Sequence, residues 1–308
     1  MYHYTIVQWL FLFYFYCFFG WCFESAYVSI KSRKLTNRGF MRGPFLPLYG
    51  SGAIMMLVVS MPFQDNIFLV YVAGCIGATV LEYVTGVTME ALFKVRYWDY
   101  SQNKFNFQGH ICLGTSLAWG GLTILMTEGI HVPVEALMLS IPGQILTAVT
   151  VVLTAYNIAD FAISFKTAID LRDLLDKMEH TKEELLRIQK RLDVIIAVTG
   201  ESIGNYRDAF GDNVEGVITG IEEKLEGIKE AARTKPSEYL ESVKEELLEL
   251  KTRFAVNLEL GKYFAGLKDF FQRDMIRSNP GMTSRRYKES LEELKEKFSR
   301  KRGKDKRE

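Results

Sequence analysis

The first 165 residues of this chain contain few charged side chains. They hold 8 of its 38 Lys and Arg residues and 8 of its 37 Asp and Glu residues, whereas residues 166–308 hold the other 30 and 29. An apolar half beside a half dense in both charges indicates two regions that face different solvents. The net charge of +1 lacks the strongly basic balance typical of nucleic-acid-binding proteins, so no nucleic-acid partner is expected.

Cysteine motifs and nucleotide-binding motifs are also missing. The four cysteines form no CxxC pair and have no His at metal-binding spacing, so we expect small buried apolar residues and neither a metal site nor another cofactor. No G-x-x-x-x-G-K-[ST] loop occurs, so we expect no ATPase site in this chain. We find no nucleophile–base pair, and no catalytic residue is assigned.

Long apolar runs dominate the first half. A helix needs about 20 mostly apolar residues to cross the hydrocarbon core of a bilayer. Five segments qualify, although the second and fourth are short: residues 6–30, 46–61, 67–89, 111–127 and 137–165. The prediction is an all-α chain, with a polytopic membrane helix bundle of about five spans in residues 1–165 and the lipid bilayer as its surroundings.

The connecting loops differ in basic charge. Loop 31–42 carries five Lys or Arg residues and loop 90–110 carries three, whereas loops 62–66 and 128–136 carry none. Basic loops stay in the cytoplasm. We therefore expect a cell-membrane protein with its N-terminus, Asp65 and His131 outside and its charged half in the cytoplasm.

The charged half shows a heptad pattern. Apolar residues at spacings of three and four run from Leu171 to Ile195, interrupted by Thr181, and no Gly or Pro occurs between Gln144 and Thr199. We predict that the fifth span continues into a cytosolic helical coiled-coil domain, residues 166–299, with later helices near 213–233, 237–277 and 284–299. The basic tail, residues 300–308, is expected to be disordered. Residues 171–195 could form the core of an intramolecular bundle or a parallel homodimer.

Three carboxylates lie in or at the ends of the predicted spans: Glu24, Glu82 and Glu90. Charges in hydrocarbon are costly, so each must be paired or protonated, and each is a functional candidate. Arg38 and Arg42 follow the first span and are the expected partners, with Asp99 facing one of them. We predict one polar cluster at the cytoplasmic end, with either a structural or a ligand-binding role.

The segment 37–52, NRGFMRGPFLPLYGSG, precedes the second span and is rich in Gly and Pro. Free N–H groups at the start of that span, beside Arg38 and Arg42, would suit an anion; a turn whose arginines face lipid headgroups is the alternative. The candidate ligand-binding residues are Glu24, Asn37, Arg38, Arg42, Tyr49, Glu82, Glu90, Asp99 and Asn106.

Several short motifs together resemble a bacterial membrane-protein family. They are Gly20-Trp21 with Glu24, Asn37-Arg38-Gly39-Phe40 with Gly43-Pro44, Pro47 and Tyr49-Gly50, then Glu90, Trp98-Asp99-Tyr100-Ser101 and Trp119-Gly120. Residues 10–157 thereby resemble the ABC-transporter permease family called CmpB-like or ABC-transporter type IV. Met41 and Leu48 are conservative departures from its usual Leu and Ile.

The resemblance implies a permease-like component of a transport system that works with a separate ATPase subunit. That subunit would dock on loops 31–45 and 90–110 or on the helical domain. Two other classes fit the residues. One is a membrane-anchored scaffold or regulator that uses the cytosolic helices, and the other is a membrane enzyme acting on lipid-linked anions.

Overall fold

The computed structural model describes residues 4–198, residues 270–304 and four single positions between them, 245, 248, 249 and 252. The predicted helix 213–233 lies outside the described residues, as does most of 237–277. The described residues belong to two compact units, one formed by residues 1–173 with 268–308 and the other by residues 174–267. Each unit is considered by itself.

The described residues are almost entirely helical. In chain order the elements are α1 (Ile6–Ser32), α2 (Pro47–Ser60) with a 3-10 turn (Met61–Phe63), α3 (Ile67–Phe93), the antiparallel strands β1 (Asn106–Phe107) and β2 (Ile111–Cys112), α4 (Leu113–Ile124), a π-helical segment (Leu125–Ile130), α5 (His131–Ser140), α6 (Gly143–Val198), α7 (Phe270–Ser278) and α8 (Lys288–Lys304). The all-α fold class is confirmed.

Four helical stretches of the described residues are long and apolar enough to cross a membrane: Ile6–Ser32, Ile67–Phe93, Leu113–Ser140 and Gly143–Glu184. The fifth apolar helix, Pro47–Phe63, is shorter. Many large apolar side chains on the long helices are exposed, among them Phe19, Phe23 and Ile76. Exposed apolar surface of this extent is stable in lipid and not in water, so the chain is a membrane protein.

Residues 128–136 correct the sequence analysis, which assigned them to an external loop. They are helical and join α4 to α5 through the π-helical segment. Pro133 lacks the N–H that would bond to the Gly129 carbonyl, and a π-type turn beside it accommodates that missing bond. The helix ends at Ser140. The next residue, Ile141, is extended (φ −81°, ψ 128°) because it precedes Pro142. The last span therefore begins at Gly143 and not at Leu137.

Local signals fix the ends of the other long helices. Thr5 and Gln8 form a capping box at the start of α1, and Asn66 caps α3 by accepting bonds from the N–H groups of Phe68 and Leu69. α1 and α3 each end at a left-handed residue, Arg33 (φ 53°) and Lys94 (φ 58°). The loops that follow, residues 33–46 and 94–112, lie at the same end of the bundle, which we call the basic end.

The core of the bundle lies between its helices, with Leu12, Met56, Leu57 and Met138 almost fully buried. α1 and α2 approach closely because Gly20 has no side chain. A Cβ at that position would overlap Tyr49. Small residues permit such contacts between membrane helices. Gly20 lies one helical turn before Glu24 on α1. The contact therefore places Tyr49 of α2 beside Glu24.

α6 continues the last span without a break to Val198, as the sequence analysis expected. Its 56 residues correspond to about 84 Å of helix, far more than a membrane requires. The first four positions of the heptad pattern, Leu171, Leu174, Met178 and Thr181, are buried. The coiled coil and the domain division remain predictions.

Residues 270–287 return to the basic end of the membrane half, and we call them the C-terminal strap. The sequence analysis assigned this segment to the cytosolic domain. In the structure, Arg96 and Thr283 pair through two backbone hydrogen bonds of 2.7 and 2.9 Å, and the Ser284 hydroxyl donates to the Lys94 carbonyl. α8 then extends to Lys304, into the tail expected to be disordered.

Candidate functional site

A cavity of about 390 Å³ opens between the helices near the basic end. Its walls are mainly apolar and aromatic, and they include Phe40, Leu46, Met89, Phe93, Trp98, Tyr100, Trp119, Phe161 and Phe165. Three charged side chains reach it, those of Glu24, Arg38 and Glu82. Concave, largely apolar sites of this size with a few polar groups are typical of small-molecule binding sites.

The first polar group in the cavity wall joins α1, the following loop and α2. Arg38 Nε lies 3.4 Å from Glu24 Oε1, and the Tyr49 hydroxyl donates to Glu24 Oε2 at 2.6 Å. Arg38 Nη2 also donates to the Tyr97 carbonyl at 3.1 Å. Glu24 therefore has a cationic partner, as the sequence analysis expected.

Glu82 is the second polar group, and its surroundings differ. Its side chain is buried on α3, where Oε1 accepts from the Tyr100 hydroxyl at 3.0 Å and Oε2 accepts from Trp119 Nε1 at 2.9 Å. Both donors are neutral. Tyr100 reaches this depth because loop 94–112 folds back along α3. Among the residues that the structure describes, no basic nitrogen lies within ion-pair distance of Glu82.

Glu90 belongs to a separate cluster outside the cavity. Its Oε2 lies 2.8 Å from Arg96 Nη2 and 2.9 Å from His110 Nε2, and Arg96 Nη1 lies 3.4 Å from Asp99 Oδ1. The expectation that Arg38 or Arg42 would neutralise Glu90 and Asp99 is wrong. The buried Arg96 does so, because the left-handed turn at Lys94 directs the chain back toward α3.

This second cluster combines the carboxylates of Glu90 and Asp99 with the positive charge of Arg96, and the charge of Arg285 on the strap also acts on it. Partial burial alone would raise the pKa of Asp99, but hydrogen bonds from Ser101 and the charge of Arg96 outweigh burial and hold that pKa below its usual range. Burial and the neighbouring Arg96 lower the pKa of His110. His110 is therefore mainly neutral at pH 7, and Arg96 supplies the positive charge.

Three other predicted site residues organise loops and do not line the cavity. Asn37 accepts from Trp21 Nε1 at 2.5 Å and donates to the Arg42 carbonyl, while Asn106 is exposed and holds the hairpin through the carbonyls of Ser101 and Asn103. The Arg42 guanidinium lies 3.9 Å from the centre of the Phe271 ring. The one polar cluster expected from the sequence is thus divided between a cavity and its surroundings.

The C-terminal strap reaches the cavity through Asn279. This buried side chain accepts a bond from Arg38 Nη1 and donates to the carbonyls of Gly39 and Met275, each at 2.9 Å. Asn279 also belongs to the cavity wall. The strap therefore forms part of the site, although Asn279 lies 241 residues after Arg38 in the chain.

A further polar cluster lies toward the other end of the bundle, where the sequence analysis expected His131 in an external loop. His131 is buried, and its two ring nitrogens lie 3.0 Å from the Tyr4 hydroxyl and 2.7 Å from the Tyr16 hydroxyl. Glu135 accepts from Tyr4. Apart from His131, these residues were not singled out: Tyr4 and Tyr16 lie among many aromatic residues, and Glu135 fell in the predicted external loop, where a carboxylate is common.

The sequence analysis also missed Asp160 on α6. Its carboxylate accepts bonds from the backbone N–H groups of Arg42 at 3.3 Å and Gly43 at 2.8 Å. These N–H groups belong to the Gly- and Pro-rich segment, where no helix satisfies them. Asp160 could have been noticed as an acidic residue within a predicted span, the same signal that identified Glu82.

A family model described as "Putative ABC-transporter type IV" matches residues 11–165. The match covers the membrane half, including the cavity residues on α1, α2, α3, α4 and α6. No curated protein and no solved structure gives a significant match to the chain.

Proposed function

We propose, because the chain belongs to this family of ABC-transporter type IV proteins, that it is the permease-like component of a transport system and works with a separate ATPase subunit. The observation that carries the proposal is the family match over helices that enclose a cavity with charged groups in its wall. The sequence contains no phosphate-binding loop, so ATP hydrolysis requires another subunit.

The basic end is the proposed docking surface for the ATPase. Five Lys or Arg residues lie between positions 31 and 42, in the last turn of α1 and the loop after it, which favours a cytoplasmic location in the cell membrane and an external N-terminus. Residues 31–35 are exposed, and Leu35 is 98% exposed. Leu35 lies among these basic residues, so a substitution there tests whether a partner covers this surface. The strap contacts the neighbouring loop, so ATPase docking would act close to the cavity.

Co-purification tests this proposal most directly. The tagged full chain, extracted in mild detergent, should bring with it a protein that contains a phosphate-binding loop, and the reconstituted complex should hydrolyse ATP. Leu35→Asp should reduce the amount of ATPase recovered without changing the amount of folded chain. Gln64→Asp, in an exposed turn at the other end of the bundle, should change neither.

An intact chain that purifies without any ATPase, from membranes in which it is functional, contradicts the proposal. That result would favour a scaffold or regulator, the second candidate. The observation behind this alternative is the length of α6, which continues far beyond a membrane span. A regulator would then use its C-terminal half to bind its partner.

We further propose that two copies associate through residues 171–195, since the heptad pattern continues beyond its buried first positions. The full chain in nanodiscs should have the mass of a dimer. Replacing the seam residues Leu192 and Ile195 by Glu should give a monomer, whereas Arg187→Glu at an exposed position should not. A monomeric parent protein, or a dimer that survives both seam substitutions, contradicts the dimer.

A further inference from the structure

We propose that the cavity binds a monovalent organic cation with an apolar body, and that Glu82 is the counter-charge of this ligand. The inference deepens the proposed function by naming a class of cargo, and it rests on that function only for the view that the ligand is transported. Binding itself can be measured on the chain alone, so its failure is distinguishable from a failure to find an ATPase.

The charges of the side chains in the cavity wall do not cancel. Arg38 is within 3.4 Å of Glu24, donates to the Tyr97 carbonyl and contacts Asn279, so its positive charge is already used. Glu82 has only the neutral donors Tyr100 and Trp119. The three charged side chains therefore leave one negative charge in excess. Inside an apolar cavity such a charge requires a proton or a bound cation.

The chemistry of the residues that line the cavity indicates which kind of cation it can bind. An inorganic cation needs about six oxygen ligands, whereas the lining beside Glu82 is mostly apolar. The aromatic side chains of Trp98, Tyr100 and Trp119 line the cavity and instead suit an alkylammonium group, which gains from cation–π contacts within about 6 Å of a ring. A volume of about 390 Å³ also leaves room for an apolar body.

The same geometry argues against the anion expected from the sequence. An anion would have to displace Glu24 or Asn279 from Arg38. It would also lie in a cavity that already contains Glu82. Arg42, the other candidate cation for an anion site, is stacked on Phe271 and does not line the cavity.

Two water-soluble probes that share a phenyl ring test the proposal: phenyltrimethylammonium and benzenesulfonate. Trp98 and Trp119 line the cavity, so tryptophan fluorescence of the full chain in nanodiscs reports occupancy. The cation should bind with saturation, and the anion at least about tenfold more weakly. Glu82→Gln should weaken cation binding by about tenfold or more, since a charge pair in a partly desolvated site contributes more than 1.4 kcal/mol.

Glu128→Gln is the matched control, because Glu128 is an exposed carboxylate on a membrane helix outside the cavity. It should leave the affinity unchanged. If Glu82→Gln fails to fold, Tyr100→Phe removes one neutral donor and keeps the carboxylate, so cation affinity should be equal or higher. Equal affinity for the two probes overturns the proposal. So does unchanged cation affinity in Glu82→Gln, which would show that Glu82 carries only a proton, or loss of cation binding in a folded Tyr100→Phe variant.

Discussion

Glu82 and Glu90 lie on the same helix, eight residues and about 12 Å apart, yet they have opposite electrostatic surroundings. Glu90 contacts Arg96 and His110 at the basic end, and Arg96 in turn contacts Asp99. Glu82 lies deeper and has two neutral donors beside an empty volume. One carboxylate is neutralised within the protein, whereas the other is left to a proton or a ligand.

The difference indicates a structural role for Glu90, whereas the role proposed for Glu82 is ligand binding. The Glu90 cluster joins α3 to loop 94–112, and the strap adds to it because the Thr283 hydroxyl donates to Asp99 at 3.3 Å. Among the described residues, Glu82 is connected to loop 94–112 and α4 only by hydrogen bonds from neutral donors. Removing charges should therefore destabilise the first region and alter ligand binding in the second.

Arg96→Met should have the largest effect. The Arg96 side chain is 2% exposed, and its loss leaves Glu90 and Asp99 without their cation. The carboxylates of Glu90 and Asp99 are 24% and 25% exposed, so water offsets part of the loss, which we expect near the lower end of the about 3–5 kcal/mol that breaking a fully buried pair costs. A loss of that size should sharply reduce accumulation of the folded protein. Size-exclusion chromatography of the detergent-extracted protein measures this directly.

A control variant and a double variant test whether the loss comes from the unpaired carboxylates. Arg187→Met removes an exposed arginine whose pair with Glu184 contributes at most about 1 kcal/mol, so it should leave accumulation unchanged. Adding Glu90→Gln to Arg96→Met should restore part of the lost protein, because the unpaired charge is removed. A double variant no better than Arg96→Met would contradict the assignment of Glu90 to this cluster.

Asn279→Ala tests whether the strap is held at the cavity wall. The substitution removes three side-chain hydrogen bonds, one of them to the charged Arg38. A loss of about 1–3 kcal/mol is expected, confined to the strap. Hydrogen exchange should speed up in residues 270–287 and remain slow in α3, and the exposed Gln102→Ala should change neither. Equal acceleration in α3 would show that the strap and the bundle unfold together.

Glu82→Gln without ligand should have a smaller effect on stability than Arg96→Met, about 1 kcal/mol or less. Both of its partners are neutral, so no opposite charge is left unpaired. Thermal unfolding in nanodiscs gives the comparison. A loss as large as that of Arg96→Met would mean that Glu82 is a structural residue whose counter-charge lies within the protein.

Acid should weaken the Glu90 cluster through Asp99. Since the folded-state pKa of Asp99 is lowered, its contribution to stability is present above the unfolded value near 3.8 and is lost as the pH falls through the lowered pKa. Asp99→Asn should reduce stability at pH 7 and flatten the decline that begins at about pH 4 and continues as the pH falls through the lowered pKa. A decline that is identical in parent and variant would contradict this role for Asp99.

The sequence predicted the apolar helices, the unbroken α6 and the contact between Glu24 and Arg38, because each depends on local patterns or on adjacent segments. It placed residues 128–136 in a loop between two apolar segments, but the membrane helix continues through Gly129 and Pro133 by way of a π-helical segment. Arg96 was counted only as a loop charge, since the turn that brings it to Glu90 depends on one left-handed residue.

The strap could not have been predicted at all. Asn279 follows Arg38 by 241 positions, and nothing near it in sequence indicates a contact with the membrane half. Its neighbours Pro280 and Gly281 indicated only a break between helices. Contacts of this separation depend on the whole fold.

The central claim is that Glu82 is the counter-charge of a bound cation. Solid-state NMR can measure the distance between a ¹⁵N-labelled phenyltrimethylammonium nitrogen and the Glu82 carboxyl carbon, with Glu82→Gln used to assign the signal. We expect a separation below about 6 Å, the range of a direct charge interaction. An ammonium nitrogen that is bound to the chain but shows no coupling to Glu82 would contradict it.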